Sequence, residues 1–306
     1  MRRECPFTAS DVDRADHTPV TPRIYANATF EGVKALRVFS EIYLRNVLQG
    51  VLAATDRERG VLRLYYRLAA YLATVHRLDS PIHFQSIASA ARSIFELALD
   101  LALLGSDTTT ESIDRLAAFT RVERHRVAKR LVDFYENHPL PPDFNITQQR
   151  RVCADAAEAA AVEALIVQYW GRDRNGDLNW PIHWSRFRDA RSRARHVADS
   201  WEERYVRYYY VLSWHVHSGT VGVAGLAQDV FDIFVADAHR LIRDSVIDSY
   251  DILGRELHLA RAMERWREML DFLGNVSGFT LVDLRLQALG EPPRFLYLEE
   301  HEHRVV

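Results

Sequence analysis

Apolar residues recur at helical spacing through almost the whole chain, and this periodicity constrains the fold most. From Asn27 to Leu289 they fall three or four residues apart, and no segment alternates apolar and polar residues as a half-buried strand does. The pattern predicts an all-α protein, a single helical bundle of about seven to nine helices without a significant sheet. The same pattern predicts a flexible N-terminal arm at residues 1–26, a bundle domain at 27–290 and a C-terminal tail at 291–306.

The composition is that of a globular protein, and with only two cysteines a disulfide framework is not expected, which favours a reducing compartment. The 306 residues are 48% apolar and 26% charged, and the formal charge of −3 argues against a protein that coats nucleic acid or anionic membrane through its overall field. The chain start lacks the apolar core of a signal peptide. The most apolar stretch, Ile94–Leu104, contains two carboxylates and has about half the length of a membrane span. We therefore expect a cytoplasmic protein without a membrane segment.

The helix predicted over residues 82–104 is apolar on all sides except along one polar stripe. Gln85, Ser89, Arg92 and Glu96 fall within a narrow range of angles at about 100° per residue. A helix that is apolar elsewhere is expected to be buried, so the stripe is expected to face the interior. Buried charges need partners, and Arg92 and Glu96 can pair with each other or with another helix. The pair fits a structural ion pair as well as a functional site.

A second helix, predicted from Trp201 to Ser218, supplies complementary side chains. Tyr210, Ser213 and His217 lie within about 60° of one another on a helical wheel. Ser213 and His217 are one turn apart, near enough for a hydrogen bond, but no Gly-x-Ser-x-Gly elbow accompanies them, which weighs against a small-molecule hydrolase. The candidate catalytic set is therefore Arg92, Glu96, Tyr210, Ser213 and His217.

An arginine-rich segment follows two tryptophans and forms a candidate ligand-binding set. Arg188, Arg191 and Arg195 share one face of a predicted helix, where they can hold phosphate or carboxylate groups. Trp184 beside them can stack on a base. The alternative is a solvated arginine face with the tryptophan in the core. No predicted helix carries a Glu-x-x-His pair of the diiron type, and no His-Glu-x-x-His motif or phosphate-binding glycine loop occurs, so no metal and no cofactor are expected.

Three short segments stand out by their order and spacing. They are Ala-Arg-Ser-Ile-Phe-Glu at 91–96, His-Trp-Ser at 183–185 and Tyr-Val-Leu-Ser-Trp-His-Val-His-Ser at 210–218. Their combination resembles an uncharacterised bacterial family, the domain-of-unknown-function family 5677. The resemblance extends from about Val33 to Asp237, and it implies an all-helical fold without an established activity.

A looser similarity connects the chain to the HEPN group of helical proteins. Many of these are toxin or defence ribonucleases in which an arginine precedes a histidine by a few residues at a dimer interface. Arg191 and His196 match that spacing, whereas the more polar helix has Ser213, not arginine, one turn before His217. The similarity implies RNA, or another phosphate-bearing ligand, and a second copy of the chain as partners.

Two functions of different classes follow from these patterns. The first is a metal-independent, ribonuclease-like defence or toxin protein, in which His217 is the general base or acid and Arg92 stabilises phosphate charge. Glu96 would orient Arg92, while Tyr210 and Ser213 would donate hydrogen bonds. The alternative is a non-enzymatic sensor or adaptor module, in which the same cluster only fixes the packing of the helices.

Overall fold

The computed structural model is all-α, as the periodicity predicts. It describes residues 6–43, 55–78, 83–107, 111–138, 141, 144–216, 228–257 and 262–294. Within these ranges there are eleven helices, not seven to nine, and no strand. The helices are α1 (Ala9–Asp16), α2 (Pro22–Tyr43), α3 (Asp56–Val75), α4 (Phe84–Ser106), α5 (Glu111–Asn137), α6 (Phe144–Ala154), α7 (Ala156–Tyr169), α8 (Ala190–Val197), α9, α10 (Gln228–Glu256) and α11 (Ala262–Ala288). Helix α9 comprises Asp199–Arg204, a π-helical turn Tyr205–Tyr209 and the α-helical segment Tyr210–Val216.

Part of the difference in helix number comes from a capping side chain. The pattern predicts one helix over 145–171, but the structure has two, because Asp155 interrupts it. Its carboxylate accepts hydrogen bonds from the backbone N–H groups of Ala157 at 3.0 Å and Glu158 at 3.1 Å. These bonds satisfy the first donors of a new helix, so α7 begins one residue after Asp155.

The helices divide into two compact units, where the sequence predicted one bundle. The first unit comprises Met1–Ser106 and Ala194–Val306, and the second comprises Asp107–Arg193. In the first unit α10 packs against α2, α3, α4 and α11, while α4 also contacts α3 and the end of α9. Alanines at positions 88, 91 and 98 of α4 are fully buried. Their small side chains permit close approach of the neighbouring helices.

Much of the predicted N-terminal arm is helical. Helix α1 begins with a capping box, in which the Thr8 hydroxyl accepts a hydrogen bond from the Asp11 N–H and the Asp11 carboxylate accepts one from the Thr8 N–H. Ala15 is buried in a small cluster with Leu286 of α11. The prediction of an arm over residues 1–26 is therefore wrong for α1 and for the beginning of α2. In the predicted tail, the Arg294 N–H donates to a carboxylate of α11, and residues 295–306 lie outside the described part.

The second unit has its own core, built from α5, α6 and α7. Val122, Val162 and Ile166 form its buried cluster. The segment 181–186 runs antiparallel to α5, since Arg126 donates to the Pro181 carbonyl at 2.9 Å and Arg186 pairs with Glu111 at 2.9 Å. No helix in the described ranges is both long enough and apolar enough to cross a membrane.

Candidate functional site

The polar stripe of α4 is partly open to solvent. Gln85 and Ser89 are exposed, and Arg92 and Glu96 are half-buried. The prediction that the stripe faces the interior is therefore wrong for its first two members. The charged pair lies where solvent can reach it but where partial desolvation strengthens its electrostatic interactions.

Tyr209 of α9 joins the two charged residues of this stripe. Its hydroxyl accepts a hydrogen bond from Nη2 of Arg92 at 3.0 Å and donates one to Oε1 of Glu96 at 2.5 Å. The Arg92 guanidinium also lies 4.8 Å from the centre of the Tyr209 ring. Phe95, between the two charged residues on α4, packs against the same ring with 5.3 Å between centroids. The cluster Arg92–Tyr209–Glu96 thus fastens α9 to α4.

The π-helical turn explains why Tyr209 occupies this place. Trp201 and Tyr209 both contact Phe95, at 5.7 and 5.3 Å between ring centroids, so they lie on one face of α9. In a regular α-helix, side chains eight residues apart point in directions about 80° apart around the helix axis, whereas side chains seven residues apart point in nearly the same direction. A regular helix would therefore present Tyr208. The additional residue of the π-turn moves Tyr209 into that position.

Tyr210 and Ser213, the two described members of the predicted catalytic set on α9, do not join the cluster. Tyr210 is 50% exposed and contacts Trp214 instead. Ser213 donates its hydroxyl proton to the Tyr209 carbonyl at 2.8 Å, a bond within its own helix. His217 lies outside the described residues. The sequence analysis thus identified Arg92 and Glu96, which the structure brings together. It identified Tyr210, however, where the structure uses the neighbouring Tyr209.

The charge of Arg92 is not matched by an adjacent carboxylate. Among the described residues it forms no ion pair, because the Tyr209 hydroxyl stands between it and Glu96. Its Nε is buried and has no acceptor in the described part of the chain. A guanidinium carries five N–H donors. The buried Nε–H is out of an anion's reach, but Nη1 is not buried and keeps donors that an anion can use.

Tyr209 remains a neutral hydrogen-bond donor at physiological pH. Burial of its hydroxyl and the hydrogen bond to Glu96 raise its pKa to about 12, although Arg92 acts in the opposite direction. A phenol with this pKa does not take up or release protons near neutral pH. Tyr209 can therefore position Arg92, but it cannot serve as the base of a reaction.

The predicted arginine set has a different environment. Trp184 is only 3% exposed, so its ring cannot receive a base, and this part of the prediction is wrong. Arg188 precedes α8 and is exposed, and Arg191 is exposed on α8. Arg195 directs Nε and Nη2 to the two carboxylate oxygens of Glu202, at 2.9 and 2.7 Å. This bidentate interaction uses the two parallel N–H donors of Arg195 that would bind a phosphate.

The second unit contains a serine–histidine pair that the sequence indicated only through the family resemblance. Nδ1 of His183 lies 2.8 Å from Oγ of Ser185, and Nη1 of Arg193 lies 2.7 Å from Nε2 of the same ring. The backbone N–H of Ser185 also donates to Nδ1, at 3.1 Å, so a donor faces each nitrogen of the ring. Ser185 is only 5% exposed, and this burial favours a structural role for the pair. The spacing of Arg193 in the sequence gives no signal of its contact with His183.

In the described residues, no group of three or more histidine, cysteine, aspartate or glutamate side chains is placed to hold a metal ion.

The resemblance to family 5677 and to the HEPN group stays a prediction from the motifs quoted above. Comparison of the chain with protein-family models, with curated proteins and with solved structures finds no match in any of the three.

Proposed function

We propose that this chain binds a phosphate-bearing ligand at the Arg92–Tyr209–Glu96 cluster, that the ligand is RNA, and that the protein cleaves it without a metal. The observation that carries the proposal is the position of Arg92. It is half-buried, held by a neutral hydroxyl, and has no carboxylate against its guanidinium among the described residues. A partly desolvated arginine with unused donors favours a phosphate oxygen as its acceptor.

Each residue of the cluster has a role in this proposal. Arg92 stabilises the negative charge on the phosphate, and Tyr209 fixes the position of Arg92 through its hydroxyl. Glu96 holds the Tyr209 hydroxyl in place by accepting a hydrogen bond from it. His217, assigned from the sequence alone, takes the proton of the attacking 2′-hydroxyl and returns a proton to the leaving 5′-oxygen. The HEPN similarity would place such a protein in a cytoplasmic defence or toxin system of a bacterium.

The binding step is tested with a fluorescein-labelled 2′-O-methyl oligouridylate, which lacks the 2′-hydroxyl nucleophile and cannot be cleaved by this route. Fluorescence anisotropy should show that Arg92→Ala weakens binding at least about tenfold. The slope of log affinity against log salt should fall by about 0.7, as expected for one lost phosphate contact to a single strand. Arg67→Ala, which removes an exposed arginine from α3, is the matched control and should change neither quantity.

The cleavage step is tested with the unmodified oligouridylate in EDTA on a denaturing gel. Wild-type protein should shorten the RNA, and His217→Ala should abolish cleavage while retaining binding of the 2′-O-methyl probe. His215→Ala, two residues away, is the control. Intact RNA in the wild-type reaction, at protein concentrations that saturate the binding probe, would refute the ribonuclease assignment and leave a binding protein.

A non-enzymatic sensor or adaptor is the second candidate, and one observation favours it. The Tyr209 hydroxyl makes one bond to each charged neighbour, which is also the arrangement expected of a clamp between two helices. A clamp predicts that Arg92→Ala lowers the melting temperature sharply. A binding site predicts weaker RNA binding at nearly unchanged melting temperature.

A further inference from the structure

Helix α9 carries a stripe of exposed apolar side chains beside the Arg92–Tyr209–Glu96 cluster. Val206, Tyr210 and Trp214 are four residues apart, and they are 47%, 50% and 46% exposed. The spacing places them on one side of the helix. Tyr210, the middle member of the stripe, directly follows Tyr209, whose hydroxyl holds Arg92.

The two aromatic rings of the stripe leave surfaces that a planar group can cover. Tyr210 and Trp214 meet edge to face, with 5.4 Å between centroids and 71° between planes. In such a pair the edge of one ring covers at most one face of the other, so each ring retains an open face. Aromatic faces of this kind bind unpaired bases through stacking, and they do so for every base because each has a π-face.

We propose that Tyr210 and Trp214 form a base-stacking platform, and that the ligand of the site is a single strand of RNA whose phosphate meets Arg92. This inference rests on the proposed function and specifies its substrate. A duplex cannot use the platform, because its bases are already stacked on one another and face inward. A single strand presents bases and phosphates alternately, as the stripe and Arg92 do.

The surroundings of the stripe argue against a protein partner or a lipid surface. The polar residues Gln85, Ser89 and Arg92 lie on α4, against which the last part of α9 packs. Arg207, next to the stripe on α9, is exposed and paired with Glu203. Stable protein interfaces bury about 800 Å² on each partner, and three side chains bordered by polar and charged residues do not provide that area. A positive guanidinium on α4 and open aromatic faces on the helix that packs against it match the alternating chemistry of a nucleic acid strand.

The test compares variants in their affinity for the 2′-O-methyl oligouridylate. Tyr210→Leu and Trp214→Leu remove the rings but retain apolar side chains, and each should weaken binding by a factor between about five and a hundred. Tyr66→Leu is the control, since Tyr66 is 51% exposed on α3. The oligouridylate paired with its complement forms a duplex. The wild type should bind this duplex with the same affinity as the Trp214→Leu variant does. Sedimentation velocity of all variants reports self-association.

The outcomes separate this inference from the proposed function. Loss of affinity in both ring variants, with Tyr66→Leu unchanged, supports the platform. Wild-type affinity in Tyr210→Leu and Trp214→Leu overturns the platform and leaves Arg92 as a phosphate site. Equal affinity of the wild type for single strand and duplex also overturns it. A wild-type dimer that becomes monomeric in Trp214→Leu would assign the stripe to self-association instead, and absence of any RNA binding by the wild type would refute both proposals.

Discussion

A single hydroxyl group, that of Tyr209, connects the guanidinium of Arg92 to the carboxylate of Glu96. Tyr209→Phe removes this hydroxyl and preserves the ring that packs on Phe95. The change should lower the free energy of unfolding by about 1–2 kcal/mol, because two partly buried polar groups lose a shared partner. Urea unfolding followed by far-UV circular dichroism measures this difference.

The adjacent tyrosine provides the control at the same scale. Tyr210→Phe removes a hydroxyl from a ring that is 50% exposed, so water replaces any bond that is lost. Its effect on unfolding should remain within about 0.5 kcal/mol. A larger loss in Tyr210→Phe than in Tyr209→Phe would contradict the assignment of Tyr209 as the connecting residue.

A second residue-level feature is the buried histidine of α10. His239 is 2% exposed, and its Nδ1 lies 3.3 Å from the Thr29 hydroxyl, which itself donates to the Ala26 carbonyl at 2.8 Å. The ring packs against Phe30, and Nε2 has no acceptor or donor among the described residues. Burial lowers the pKa of His239 from 6.5 to about 4, although the Ala26 carbonyl acts in the opposite direction. The ring is therefore neutral in the folded protein.

This histidine predicts a dependence of stability on pH. Between pH 6.5 and about 4 the unfolded chain binds a proton at His239 that the folded chain does not. The free energy of unfolding is therefore unaffected by this group above pH 6.5 and decreases as the pH falls toward 4. The total loss is about 3 kcal/mol. Urea unfolding at several pH values should show this loss in the wild type beyond that in His239→Leu. The same pH dependence in both proteins would contradict the prediction.

At the level of the helix, the π-turn of α9 determines which residues face α4. Deleting Arg207 would convert the turn to a regular α-helix in which Trp201 and Tyr209 are seven residues apart and still share a face. Arg207 itself is exposed, and its ion pair with Glu203 contributes little. We therefore expect the deletion to change the melting temperature by no more than about 3 °C, measured by differential scanning calorimetry.

A deletion beyond the turn is the matched comparison. Removing Val211 would rotate Leu212, which is fully buried, by about 100° away from the core. That variant should lose more than about 5 °C in melting temperature. If the Arg207 deletion is as damaging as the Val211 deletion, the π-turn has a role in stability that the register does not explain.

The helices show which local structure a sequence can specify. The 3.6-residue period identified the long helices because it depends only on which faces are buried. It missed the division at Asp155, although Asp155 and Glu158 have the spacing of a helix start, because the alanines on both sides give no periodic signal. It missed the π-turn for another reason. The additional residue in the turn is favoured by the packing of Trp201 and Tyr209 on Phe95. No residue type within the turn requires a π-helical conformation.

At the level of the whole molecule, the same reasoning explains why the all-α class was predicted and the two units were not. Periodicity shows that Ile166 and Leu99 face a core, but it does not show which core, since both belong to apolar helical faces. The site was predictable to the same extent. Arg92 and Glu96 interrupt an apolar helix and so attract attention, whereas Tyr209 is one of three consecutive tyrosines, and only tertiary packing distinguishes it.

The division into two cores predicts that they respond separately to mutation. Ile166 is fully buried with Val122 and Val162 in the second unit, so Ile166→Ala should cost about 2–5 kcal/mol there. Hydrogen exchange with mass spectrometry should then show faster exchange of the amides of α5 and α7, while those of α4 and α10 keep the wild-type rate. Leu99→Ala, at a fully buried position of the first unit, should give the opposite pattern. Faster exchange in all four helices after either substitution would mean that the chain unfolds as one cooperative body, because local opening in independent cores cannot spread in that way.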